Sequence, residues 1–214
     1  MIATKKIQCA ARGRGRPRSF DKDQALDIAL ELFWRLGYEG ASIADLCQAM
    51  GLSPTSLYAA FGSKAGLYRE ALERYGTGKG SFSAALLGHD GTAREAVACV
   101  LRECACRFAD PAHPPGCMIA TGVLACAEEN DAVADHLASL RRRTSAAFVA
   151  RLEAGIAAGE LPSGTDSRAV ARFYGSIIQG MSVQATDGAD AQALRLIADM
   201  AMDAWDDVVA RAAS

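Results

Sequence analysis

Four side chains near the middle of the chain have the spacing of a ligand set. Cys104, Cys106, His113 and Cys117 form C-x-C-x6-H-x3-C. Thiolates and imidazole hold zinc-type metals, and an activated thiolate is the group that senses electrophiles and oxidants. Helical geometry works against convergence. On a helix Cys104 and Cys106 project about 200° apart, and Cys99 and Cys106, which share a face, are separated by about 10 Å along it. That is too far for a disulfide. Cysteine as a small buried hydrophobe is the plainer reading, and a thiol-responsive role is the alternative to it. No metal or cofactor is expected. His89 and His136 are scattered and read, like His113, as surface residues. Gly78-Lys79-Gly80-Ser81 lacks the strand and the residue order of a phosphate loop. G-x-S-x-G, H-E-x-x-H and paired C-x-x-C are absent, so no enzymatic site is expected.

A second set carries a different chemistry. Ser53, Thr55 and Ser56 are short hydroxyl side chains at the start of a short helical segment, with Tyr58 and Lys64 close behind and Ser42 upstream. Such groups reach base edges or phosphates when a helix enters a major groove. Lys64 and Ser42 each fall at a helix start, where backbone N–H groups add to the attraction for phosphate. Before them runs Arg14-Gly-Arg16-Pro17-Arg18. Glycine admits close backbone approach, proline keeps the chain extended, and arginine is drawn to the narrow minor groove of A·T-rich DNA.

The elements that would position these groups are helical. Asp21 with Gln24 is a capping pattern, and Ala25, Ala29, Leu32 and Leu36 repeat at helical spacing until Gly37. Ser42 opens a second helix, with Ile43, Leu46, Cys47 and Met50 on one face, and Gly51 closes it. Ser53 and Pro54 start a third helix, ending near Phe61-Gly62. Ser63 starts a fourth, through Tyr75. Beyond it, residues 92–109, 117–128, 131–158, 165–186 and 190–212 are predicted to be helices, with 110–116 a loop. The fold class expected is all-α, with a flexible basic arm over 1–19, a three-helix helix-turn-helix domain over 20–75 and a second helical domain over 76–214.

Residues 14–75 resemble the N-terminal domain of TetR-family bacterial transcriptional regulators. The likeness lies in G-Y-E-G-A-S-I (37–43), G-L-S (51–53), S-L-Y-A-A-F (56–61) and S-K-A-G-L (63–67). It implies that residues 53–58 enter the major groove of operator DNA, that Tyr58, Lys64 and Ser42 contact phosphates, and that the later helices form an effector-binding and dimerisation domain. The expected function is then a homodimeric, effector-responsive repressor that binds double-stranded DNA and a small molecule.

In the C-terminal part, Phe173, Ile177, Met181, Trp205 and Val209 supply more apolar faces than one helical pair can cover, so they are expected at a dimer interface. Phe108, Met118, Thr121, Phe148, Phe173, Tyr174 and Gln179 are the expected lining of an effector pocket.

Composition bounds the rest. The 214 residues carry a net charge of −2, yet residues 1–20 hold six basic side chains and no acid. A basic arm on an acidic body points to a local polyanion contact. No apolar run is long enough to span a bilayer, and seven cysteines make an odd count that fits a reducing compartment. A cytoplasmic location and no membrane partner are expected.

Overall fold

The computed structural model describes residues 20–78, 82–124 and 126–213. The arm, with Arg14, Arg16 and Arg18, lies outside them.

Among the described residues the chain forms ten α-helices and one 3-10 turn. Helix α1 (Lys22–Gly40) is capped by the Asp21 carboxylate, which accepts from the N–H groups of Asp23 and Gln24. Gly37, at φ +71°, breaks its regular geometry before the end. Its buried stripe is Ala25, Leu26, Ala29, Leu30 and Phe33, so Leu36, expected on that stripe, is exposed instead. Helices α2 (Ile43–Met50) and α3 (Pro54–Phe61) follow. Helix α4 (Lys64–Thr77) packs against α1 along most of its length, burying Leu67, Tyr68, Ala71, Leu72 and Tyr75.

The C-terminal part contains α5 (Phe82–Leu87), α6 (Ala93–Phe108), the 3-10 turn η1 (Glu128–Asn130), α7 (Asp131–Ala157), α8 (Ser167–Thr186), α9 (Ala191–Asp203) and α10 (Trp205–Ala212). Helix α6 packs on α9, and α7 packs on α5 and α8. The buried residues of both parts form one continuous core. Trp34 of α1 joins them, its ring stacked on His113 at 4.6 Å and edge-on to Tyr75 at 4.9 Å.

Three expectations are corrected. Residues 117–128 do not form a helix: the described part is a series of turns ending in η1. The chain enters it through Gly116 at φ +77° and passes Val123 at φ +34°. The carbonyls of Ile119 and Gly122 accept from the Arg141 guanidinium at 3.1 and 3.0 Å. Helix α5 is an additional element. The last expected helix is two, α9 and α10, divided at Ala204.

Candidate nucleic-acid interface and effector cavity

Helix α2 begins with a reciprocal cap. Ser42 Oγ accepts from the Asp45 N–H at 3.1 Å and donates to the Asp45 carboxylate at 2.6 Å, which also accepts from the Ser42 N–H. Those bonds, the hydroxyl's first, hold the Asp45 carboxyl below its usual range. Gly51, left-handed at φ +66° and ψ +28°, ends the helix, and the Leu52 N–H closes back on the Cys47 carbonyl at 3.0 Å. Three residues therefore turn the chain from α2 into α3.

Ser53 caps α3, its Oγ accepting from the Ser56 N–H at 3.1 Å and lying 2.9 Å from Ser56 Oγ. The two serines thus already serve the helix start. Leu57 and Phe61 are buried, which turns Thr55 and Tyr58 outward. Tyr58 is 47% exposed, and neither side chain has a hydrogen-bond partner among the described residues. A large exposed tyrosine and a free threonine on a helix whose other face is core are groups available to an external ligand.

The α3–α4 junction is tight. Gly62 adopts φ +75° and ψ −48°, and the Ser63 N–H donates to the Phe61 carbonyl at 2.9 Å. This is a γ-turn of the rare hand, which glycine accepts. It places Lys64 in the first turn of α4. Its ammonium lies 4.4 Å from the Tyr38 ring centroid, a cation–π contact. Burial pulls the Lys64 pKa below its ordinary value, and the Glu39 carboxylate partly offsets this.

A cavity of about 700 Å³ lies between α7 and α8, floored by Phe82, Cys117, Ile119 and Ala120. Phe148 and Gln179 line it. Phe108, Met118, Thr121, Phe173 and Tyr174 do not. The last is wholly buried, its hydroxyl donating to the Ala201 carbonyl at 3.2 Å, and Phe108 packs edge-on to Phe82 behind the floor at 5.8 Å. The wall carries four arginines that sequence reasoning missed: Arg141, Arg142, Arg168 and Arg172. The signal was there in the Arg141–Arg143 run and the i, i+4 pair on α8, but only the packing of α7 on α8 sets them round one space.

The expected interface residues divide. Met181, Trp205 and Val209 are buried within the chain, and Trp205 lies 5.4 Å from the Tyr174 ring, so these three are corrected to core. Phe173 is 38% exposed and Ile177 is half-buried. With Val183 on α8, and Leu196 and Met200 on α9, they leave an apolar face open.

The cysteine–histidine set does not gather. Cys104 is buried and Cys106 exposed. His113 is held on Trp34, its Nδ1 3.0 Å from the Pro114 carbonyl. Burial pushes the Cys104 and Cys117 thiols up, away from the reactive thiolate. Among the described residues no three His, Cys, Asp or Glu side chains are placed to hold a metal ion.

Comparison with known proteins gives these shapes a family. The model of bacterial regulatory proteins of the tetR family matches residues 25–71, and that of the tetracyclin repressor-like C-terminal domain matches residues 91–201. The chain belongs to the tetR family. Its function is that of a DNA-binding transcriptional regulator. Among tetR-family relatives in Escherichia coli strain K12, the HTH-type transcriptional repressor ComR is 35% identical over 97% of this chain and 100% of its own length. The HTH-type transcriptional repressor BdcR is 30% identical, covering 91% of this chain and 93% of its own. A solved structure of the tetR-family regulator CifR, a double cysteine mutant complexed with 26-bp operator DNA, is 43% identical at a TM-score of 0.85. It covers 89% of this chain and 100% of that one. No helix among the described residues is long and apolar enough to cross a membrane.

Proposed function

We propose that the protein is an effector-responsive repressor that binds a palindromic operator as a homodimer in the cytoplasm. Residues 20–75 read DNA, and residues 76–214 bind the effector and the second subunit. Thr55 and Tyr58 of α3, with Ser53 and Ser56 at its capped start, meet the major groove. Lys64 and Ser42 hold the flanking phosphates, and the arginines of the arm follow the adjacent minor groove. The observation that carries this reading is the free, outward pair Thr55 and Tyr58 on a helix fixed at both ends by tight turns. The repressor names of the two Escherichia coli relatives and the operator complex of CifR support the same direction. The effector enters the cavity between α7 and α8 and favours a conformation whose recognition helices no longer match the operator.

Selection of bound duplexes from a random pool tests it. An enriched inverted repeat, with half-sites about one or more helical turns apart, is the expected result. A pool that stays random, or a single unrepeated half-site, refutes the dimeric operator reading.

A further inference from the structure

The cavity has a composition that selects its occupant. Four arginines and one carboxylate, that of Glu153, line it together with apolar side chains such as Phe82, Ile119, Phe148 and Ile178 and a few neutral polar ones such as Thr144 and Gln179. Arg142, Arg168 and Arg172 have no ion-pair partner among the described side chains. Cations brought together without counter-charge repel one another; Arg141 is half-buried, whereas Arg142, Arg168 and Arg172 are exposed and partly screened by water. A ligand that relieves this carries a negative charge on an apolar body. Guanidinium matches carboxylate in a two-pronged geometry that an ammonium lacks.

Arg141 differs from the other three. Its Nη1 donates to the carbonyls of both Ile119 and Gly122, leaving the remaining donors of the group unassigned. It thus ties α7 to the cavity floor. The Cys117 N–H ties the same segment to α8 through Ser182 Oγ at 2.8 Å. The segment's other side meets α4: the Cys117 thiol lies beside Tyr75, and a Cβ on Gly122 would lie 3.3 Å from the Tyr68 hydroxyl. Val123, just beyond, holds a positive φ that a β-branched residue rarely adopts. The floor is a strained strap between the cavity and the helix that carries Lys64.

We infer that the cavity binds an organic carboxylate with an apolar body, and that its anion competes for Arg141 with the Ile119 and Gly122 carbonyls, loosening the strap against α4. The inference rests on the effector reading only for its link to DNA.

Calorimetry on the full chain without DNA tests the ligand class. The probes are decanoate and 2-naphthoate, each against its neutral amide. At least one acid is expected to bind at least tenfold more tightly than its amide, as a charge-assisted hydrogen bond predicts. The exposed pair Arg142→Gln with Arg172→Gln should erase that preference while leaving amide binding and thermal stability in place. No acid binding above that of the amide, or a preference that survives the double change, overturns the inference. The strap is tested by Arg141→Gln, read through hydrogen exchange of residues 117–122. Faster exchange without ligand, no longer raised by the acid, is expected, and exchange unchanged from the unsubstituted protein overturns the Arg141 route. Operator binding is measured separately. Acids that bind with the stated preference yet leave DNA affinity unchanged uphold the carboxylate site and sink the effector reading.

Discussion

Lys64 and Thr55 separate the two kinds of contact that a DNA-binding helix makes. Lys64 is a point charge steadied on the Tyr38 ring; in the proposed function its contribution to DNA binding would be release of counterions. Lys64→Ala is expected to weaken binding to every sequence alike and to flatten the slope of log K against log salt by about 0.9 per protomer. A salt titration that keeps its slope removes the phosphate role. Thr55 carries no charge, and Thr55→Ala should alter the preferred bases with the salt slope intact; an unchanged selection profile counts against base readout. Tyr174 makes a prediction about folding instead. Burial pushes its pKa up to about 12 from the ordinary 10.0, with Asp206 adding and Arg94 opposing. The folded state therefore holds the proton more tightly than the unfolded one. The stabilisation is complete below about pH 10 and is lost as pH rises through about 12. Tyr174→Phe should cost about 1 kcal/mol near neutrality, because Ala201 is among the last carbonyls of α9 that the helix leaves without donors. It should also flatten the alkaline loss, measured by urea unfolding at fixed protein concentration.

At the scale of elements, the γ-turn between α3 and α4 is the joint that fixes the recognition helix. A Cβ on Gly66 would lie 2.2 Å from the Phe61 carbonyl oxygen, a backbone atom that cannot swing away. Gly66→Ala is expected to destabilise by about 1–3 kcal/mol and to weaken DNA binding by displacing α3. Gly76→Ala, where a Cβ meets nothing within 4 Å, should stabilise α4 by about 0.5–1 kcal/mol. Urea midpoints that move in the same direction for both would sink the argument. The caps that make this region rigid were legible in the sequence, because Ser42, Ser53, Ser63, Gly51 and Gly62 act through bonds that span three or four residues. Residues 117–128 were not. Their local pattern suits a helix, but Arg141, about twenty residues away, donates to two of their carbonyls, and no periodicity records a long-range donor. The cavity was half-legible for the same reason: Phe148 and Gln179 line it, yet its arginines acquire meaning only when α7 lies on α8. The division of α9 from α10 at Ala204 carries no glycine or proline to announce it.

At the scale of the molecule, the apolar side chains left open on α8 and α9 demand a cover. Leu196 is 61% exposed and Met200 is 63% exposed, one helical turn apart on α9, and Phe173 and Val183 are exposed on the adjoining α8. Gly180 lies between those two on α8 and is exposed, with nothing near its missing Cβ, so a second helix can approach the backbone closely. Met181, Trp205 and Val209 cannot contribute, because the chain's own core already covers them. A two-fold pairing through the open face would bury these side chains and present two copies of α3 to one duplex. Tethering the second recognition helix makes its binding intramolecular, which multiplies affinity by about 10²–10⁴ without any new contact to DNA. Leu196→Glu with Met200→Glu places four like charges across the two-fold axis and should yield a monomer by sedimentation. Its helix content should not change, since both side chains are outside the core. Affinity for a full operator should fall by about that factor, to near that of the unchanged protein for an isolated half-site. A doubly substituted chain that still sediments as a dimer would move the pairing to another surface. A monomer that retained full operator affinity would show that pairing through this face contributes nothing to binding, and the spacing of two recognition helices would no longer explain how the operator is read.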